Sequence, residues 1–231
     1  MKKESKVATF IFKKVDEDLI IELSEYLDNQ ADRIWNFFEL KFDKKVIIKI
    51  VPTKKEYDDC FRKTHNMSKD AVVEGWSIGN CRNGIITYLS LKDYKNTTHA
   101  YKDADFCDAL EYYKKTIVHE YVHFVNERFN EIHNCNYTEK YLVEGIATYL
   151  SRQKEGQKIS FDFNCEQLLD KNNNFYNAYY LVTKYFVEHY NKEYVLEIFQ
   201  SNRQARELLR NELFEKAKEF IKNEIEKQDF Y

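Results

Sequence analysis

The sequence predicts an α+β protein, a small sheet with helices packed on it through about residue 100 and a mainly helical half over about 101–231, together one domain. Three observations predict it. Short runs rich in β-branched and aromatic residues fall only in the first part, at Val7–Phe12, Lys45–Val51 and much of Ala71–Ser90. From about Ala104 onward the apolar residues recur at helical spacing in long tracts. Gly 5 and Pro 1 in 231 residues favour long helices with few tight turns. With 43% apolar and 16% aromatic residues the chain has ample material for a core.

Val7–Phe12 reads as a first strand. Asp16–Leu40 follows as a long amphipathic helix with Leu19, Leu23, Leu27, Ile34 and Phe38 near helical spacing and Asp16 or Asp18 as N-cap. Lys45–Val51 is a second strand, closed by Pro52, which cannot donate to a ladder. Thr53 then caps a helix to about His65. Gly75–Gly79 and Asn83–Leu89 read as paired strands around a turn at Asn80–Asn83. Tyr94–Asp103, with His99, reads as a polar loop. After two central helices, Gln153–Ser160 is a polar break and Asp162–Asp170 a short strand or helical turn. Asn172–Asn174 is a loop, and helices follow over Asn177–Tyr190, Lys192–Gln200 and Arg203–Lys227.

A formal charge of −3 with 32% charged residues implies no sequence-wide attraction to nucleic acid or anionic membrane. Cys60, Cys81, Cys107, Cys135 and Cys165 are odd in number and widely spaced, so they read as reduced thiols rather than a disulfide framework. The basic start Met1–Lys3 precedes only a short apolar run broken by lysines, and no run reaches transmembrane length. A cytoplasmic protein is the expectation.

The chemistry concentrates in Thr116–Val125, which contains His119-Glu120-Tyr121-Val122-His123 inside a tract free of Gly and Pro. Helical residues four apart lie about 40° from each other around the axis, so His119 and His123 project side by side and can take one metal ion. Glu120 sits at the edge of that face, able to reach a water on the metal. A catalytic zinc site needs three protein ligands, which leaves one to find. Glu144, in the second apolar helical run Tyr141–Leu150, is the candidate, with Gly145 leaving room for close approach. A carboxylate in so apolar a helix is costly to bury unless it is paired or bound to metal. Asn126, Glu127 and Thr148 stand where partners of the ligands could sit, whereas His133 and His189 match no zinc spacing.

With His119-Glu120-x-x-His123 and Glu144-Gly145-Ile146-Ala147-Thr148-Tyr149 the chain resembles the gluzincin metallopeptidases, the peptidase MA-like proteins related to the thermolysin and M1 aminopeptidase groups. Tyr176-Asn177-Ala178-Tyr179 resembles the Tyr-x-x-Gly turn of the M1 enzymes, with Tyr179 in place of Gly. The resemblance implies a zincin-like fold and one zinc ion per chain on His119, His123 and Glu144. It also implies peptide hydrolysis through a zinc-bound water, with Glu120 as general base and Tyr176 donating to the oxyanion. Tyr179 and Tyr180 are rivals for that last role, and at least two of the three tyrosines are expected to pack in the core. The resemblance further implies that Ile85–Leu89 is a sheet edge offering backbone groups to an extended peptide. Its branched run reads equally well as an interior strand. The Gly-x-Met-Glu-Asn motif of the M1 enzymes is missing, which leaves aminopeptidase specificity unsupported. The expected partner is a peptide or protein substrate. A non-catalytic peptide-binding or regulatory module on the same fold is the alternative, against which stands the retention of Glu120, a general base that binding alone would not need.

Overall fold

Two parallel crossovers organise the N-terminal part. In the computed structural model, which describes residues 1–75, 77–97, 106–135, 139–155, 164–170, 174–201, 207–208, 210–211 and 214–228, strand β1 (Lys2–Glu4) pairs antiparallel with β2 (Ala8–Ile11). Helix α1 (Glu17–Phe37) connects β2 to the parallel strand β3 (Val46–Val51), and helix α2 (Lys54–Thr64) lies in the next crossover, toward β5 (Ile85–Leu89). Strand β4 (Gly79–Arg82) folds back antiparallel on β5, giving the order β1-β2-β3-β5-β4. Ala8, Phe10, Val46, Ile48, Ile50, Ile86 and Tyr88 share one buried face in register, while Ile47 and Lys49 point outward. This alternation is what a sheet covered on one side requires.

Several boundaries differ from those expected. Ile85–Leu89 is an interior strand, hydrogen-bonded to β3 on one side and β4 on the other, so the edge on that flank is β4. The ladder continues to Arg82↔Ile85, leaving a two-residue turn at Asn83-Gly84, both at positive φ (53° and 73°). That Asn-Gly pair suits the twist of a tight hairpin; of the residues expected to form the turn Asn83 does so, while Asn80, Cys81 and Arg82 are strand. Trp76 lies outside the described residues. Asp16 occupies the N-cap of α1 without capping it, because its carboxylate accepts a buried hydrogen bond from Ser90 Oγ at 2.6 Å. Thr53 does cap α2, accepting from the Glu56 amide. The expected loop from Tyr94 starts inside a helix, α3 (Leu91–Thr97), which buries Tyr94; His99 lies outside the described residues.

Helix α4 (Phe106–His133) is the longest, followed by α5 (Lys140–Leu150), the short α6 (Cys165–Leu169), α7 (Tyr176–His189), α8 (Lys192–Phe199) and α9 (Phe214–Gln228). The segment Asp162–Asp170 thus contains a helical turn, closed by an Asn164–Gln167 capping box. Residues 136–138, 156–163, 171–173 and 202–206, covering parts of the expected break Gln153–Ser160 and loop Asn172–Asn174 and the start of the last expected helix, lie outside the described residues. The architecture is mixed α/β, a small N-terminal sheet followed by a mostly helical remainder. It divides into two compact units, Met1–Glu127 and Arg128–Tyr231. In the second unit α5 and α7 cross at Gly145, where an added Cβ would run into Thr183 Oγ1 and stand 2.6 Å from the Tyr179 carbonyl oxygen. The room that Gly145 leaves is therefore used by α7. The Phe220 ring of α9 lies tilted against Tyr185 and edge-on to His189 of α7. Among the described residues no helix is long and apolar enough to cross a membrane.

Candidate metal centre

The rotation of α4 on the sheet is set by side chains on its buried stripe. Tyr113, Ile117, Tyr121 and Phe124 recur at helical spacing and are fully or almost fully buried. Tyr88 Oη donates to the Tyr113 carbonyl at 3.0 Å and Tyr113 Oη donates to the Leu89 carbonyl at 2.7 Å. Trp35 Nε1 of α1 donates to Tyr121 Oη at 2.7 Å in a buried bond. Further along, Glu127 accepts the Gly84 amide at the hairpin tip at 3.2 Å. With that stripe anchored, the face one step round presents His119, Glu120 and His123, the first two only 6% and 8% exposed.

The two imidazoles meet through Nε2 atoms 3.0 Å apart, with their rings nearly perpendicular at 85°. His119, His123 and Glu144 each offer one ligand atom, and these three atoms all lie within 4.8 Å of one another. The donor set suits zinc, since nitrogens about 2.0–2.1 Å from a tetrahedral ion stand about 3.3 Å apart, close to the observed spacing. Two imidazoles and one carboxylate are donor types that zinc takes. This group could hold a metal ion.

Glu120 is wedged against the edge strand. A Cβ built on Gly79 would lie 2.9 Å from Glu120 Cγ and 2.7 Å from the Tyr88 ring, so only glycine fits between them. Gly79 pairs with Tyr88 and Cys81 with Ile86, which puts both β4 residues on the buried face of the sheet. Burial pushes the Cys81 thiol well up, and the charges of Glu127 and then Glu120 push it further. The hydroxyl of Tyr57, from α2, donates to the Gly79 carbonyl at 2.8 Å and lies 2.9 Å from Ser77 Oγ. Burial raises the Tyr57 phenol above its ordinary value, so it stays a protonated donor at neutral pH. Sequence reasoning missed Gly79, Tyr57 and Cys81 as neighbours of the site. The available signal was a glycine, rare in this chain, at the end of an apolar strand-like run.

The remaining candidates fall as follows. Tyr176 opens α7 half-buried, so it stands in the first helical turn rather than in a turn before the helix, with its ring 6.1 Å from Tyr179. Tyr179 is fully buried and Tyr180 nearly so, the aromatic packing expected for two of the three. Burial raises the Tyr179 phenol, and the negative charges of Glu144 and Asp170 add to it. Thr148 Oγ donates to the carbonyl of Glu144, and Glu127 serves the hairpin amide. Asn126 is 7% exposed and its Oδ1 has no hydrogen-bond partner among the described residues. His133 is exposed against Phe129, and His189 is exposed with Nδ1 at the Tyr185 carbonyl.

No family model, curated protein or solved structure matches the chain.

Proposed function

We propose that the chain is a zinc-dependent metallopeptidase of the gluzincin kind with a zincin-like fold, hydrolysing peptide bonds. The observation that carries this reading is the convergence of His119, His123 and Glu144 ligand atoms beside a buried Glu120 on the same helix face. A metal-binding structural protein would need the three ligands but not an adjacent carboxylate kept near the surface of a strand edge. Bound there, zinc would supply Lewis acidity at the scissile carbonyl and a nucleophile at near-neutral pH. Glu120 takes the proton of the attacking water and hands it to the leaving amine, the work of a general base that then acts as an acid. Tyr176, the one tyrosine of its trio that is only half-buried, is assigned to donate to the developing oxyanion, a contact whose loss typically costs roughly 10²–10³ in rate.

The substrate docks as an extended chain on β4. Leu89 N donates to the Ile78 carbonyl, so Ile78 and Leu89 form a hydrogen-bonded pair and the alternation makes Gly79–Tyr88 and Cys81–Ile86 non-hydrogen-bonded ones. The backbone groups of Gly79 and Cys81 therefore point away from β5, toward an added strand. The thiols of Cys60, Cys81, Cys135 and Cys165, all unbridged, fit a reducing cytoplasmic compartment.

Metal analysis of purified protein, followed by cleavage of a broad peptide library by wild type, by chelated protein and by Glu120→Gln, tests the proposal. One equivalent of zinc and cleavage lost on chelation and in Glu120→Gln are expected. Protein that lacks zinc affinity overturns the reading, and bound zinc without any cleavage turns it into a peptide-binding module.

A further inference from the structure

Gly79 offers an incoming strand two backbone groups, and they are not equivalent. Its N–H faces outward, but its carbonyl already accepts the Tyr57 hydroxyl at 2.8 Å, and that hydroxyl is itself steadied by Ser77 Oγ at 2.9 Å. The Tyr57 ring is fully buried and cannot swing aside cheaply. Cys81, two residues on, sends both its N–H and its carbonyl outward. A peptide N–H arriving at the Gly79 oxygen would have to share an acceptor that is already engaged, and it would gain correspondingly less than one arriving at the Cys81 oxygen.

Resting on the peptidase reading, we infer that Tyr57 is a specificity-determining residue: by engaging the Gly79 carbonyl it makes one docked backbone nitrogen dispensable, so the site takes proline or another N-substituted residue there. The inference does not depend on the direction of the bound chain, since one nitrogen falls opposite that oxygen in either orientation. It also puts the tolerant position next to the scissile bond, because Gly79 is the residue that Glu120 packs against. At that position the chain is read through the Gly79 N–H alone; at Cys81 it is read through both groups.

The test is an N-methyl scan. Peptides cleaved by the zinc-loaded wild type are resynthesised with each backbone nitrogen methylated in turn, and kcat/KM is measured for each. Binding of the same series to Glu120→Gln reads docking apart from cleavage. Every second nitrogen of an extended chain points away from β4 and is indifferent to methylation, so the comparison lies between the nitrogens that face β4: the one opposite the Gly79 oxygen is expected to tolerate methylation to within about threefold, whereas the one opposite the Cys81 oxygen, two residues away, loses about tenfold, the factor appropriate to one lost backbone hydrogen bond. In Tyr57→Phe, which keeps the buried ring, methylation of the nitrogen opposite Gly79 should cost about as much as methylation of the one opposite Cys81, with thermal unfolding recorded to verify the fold. An equal penalty at every second nitrogen in wild type, or an unchanged profile in folded Tyr57→Phe, overturns the inference and leaves the peptidase reading intact. Failure of wild type to cleave or bind any parent peptide overturns both.

Discussion

Glu120 and Gly79 are in direct contact: the methylene Cγ of the one lies where the other, given a side chain, would place its first carbon at 2.9 Å. A carboxylate proposed to shuttle protons is thus held from behind by bare backbone, and its rotamer is restricted by the strand that the substrate is proposed to join.

Gly79→Ala should accordingly displace Glu120, because the other neighbour, the Tyr88 ring, is fully buried and tied by its hydroxyl to the Tyr113 carbonyl. Overpacking of this kind costs about 1–3 kcal/mol. Urea unfolding should show that loss, and peptide cleavage should fall by more than about tenfold with zinc content unchanged. Cleavage at the wild-type rate would show that Glu120 is not held by this contact.

Gly145→Ala tests the other glycine in contact with its surroundings. Alanine favours helices by about 1 kcal/mol over glycine, yet the Thr183 hydroxyl and the Tyr179 carbonyl occupy the space. Net destabilisation of at least about 1–3 kcal/mol is expected, and Thr183→Ala in the same chain should relieve only part of it, since the carbonyl is backbone. A variant that unfolds at higher denaturant than wild type would contradict the crossing described for α5 and α7.

An acid-side loss of stability should trace to His65. Its Nδ1 faces Arg82 at 2.9 Å and its ring stacks on Phe61. Burial lowers its pKa, and the Arg82 charge lowers it further. With a folded pKa below the unfolded value of about 6.5, the neutral ring contributes stability that is present above that pH and lost as pH falls below it. Comparing unfolding midpoints from pH 7.5 to about 5 in wild type and His65→Gln checks this. The variant's profile should be the flatter one, and parallel profiles would remove His65 as the cause.

Zinc should stabilise the fold, because an ion held at His119, His123 and Glu144 binds the folded chain in preference to the unfolded one. At about a thousandfold excess over the dissociation constant the gain is about 4 kcal/mol. Scanning calorimetry with and without chelator should register it, and His123→Ala should abolish the difference without lowering the melting temperature of the metal-free protein by a similar amount. The same melting temperature in wild type with and without zinc would argue against a bound ion.

The segments that carry His119, His123 and Glu144 could be picked out in the sequence because each signal was local. His119 and His123 are one helical turn apart, and a lone carboxylate in the apolar run around Glu144 needs a compensating partner whatever surrounds it. The parallel order of β2, β3 and β5 follows from helices placed between strands. What stayed hidden depended on pairing across the chain. Ile85–Leu89 has the same branched composition whether it lies at an edge or inside, and only its pairing with β3 on one side and β4 on the other makes it interior. Asp16 looks like an N-cap until Ser90, 74 residues away, claims its carboxylate. The environment of Gly79 could not be read because Tyr57, Tyr88 and Glu120 come from three separate elements.

The paired phenols of Tyr88 and Tyr113 each end on a main-chain oxygen belonging to the other's element. Sliding the long helix by a single turn, about 5.4 Å, would take both hydroxyls off their acceptors at once in a dry interior. The imidazole-bearing segment is therefore locked in one vertical setting relative to the sheet. Because each hydroxyl ends on main chain, replacing one tyrosine leaves the other's bond in place, so the latch gives way only when both are lost.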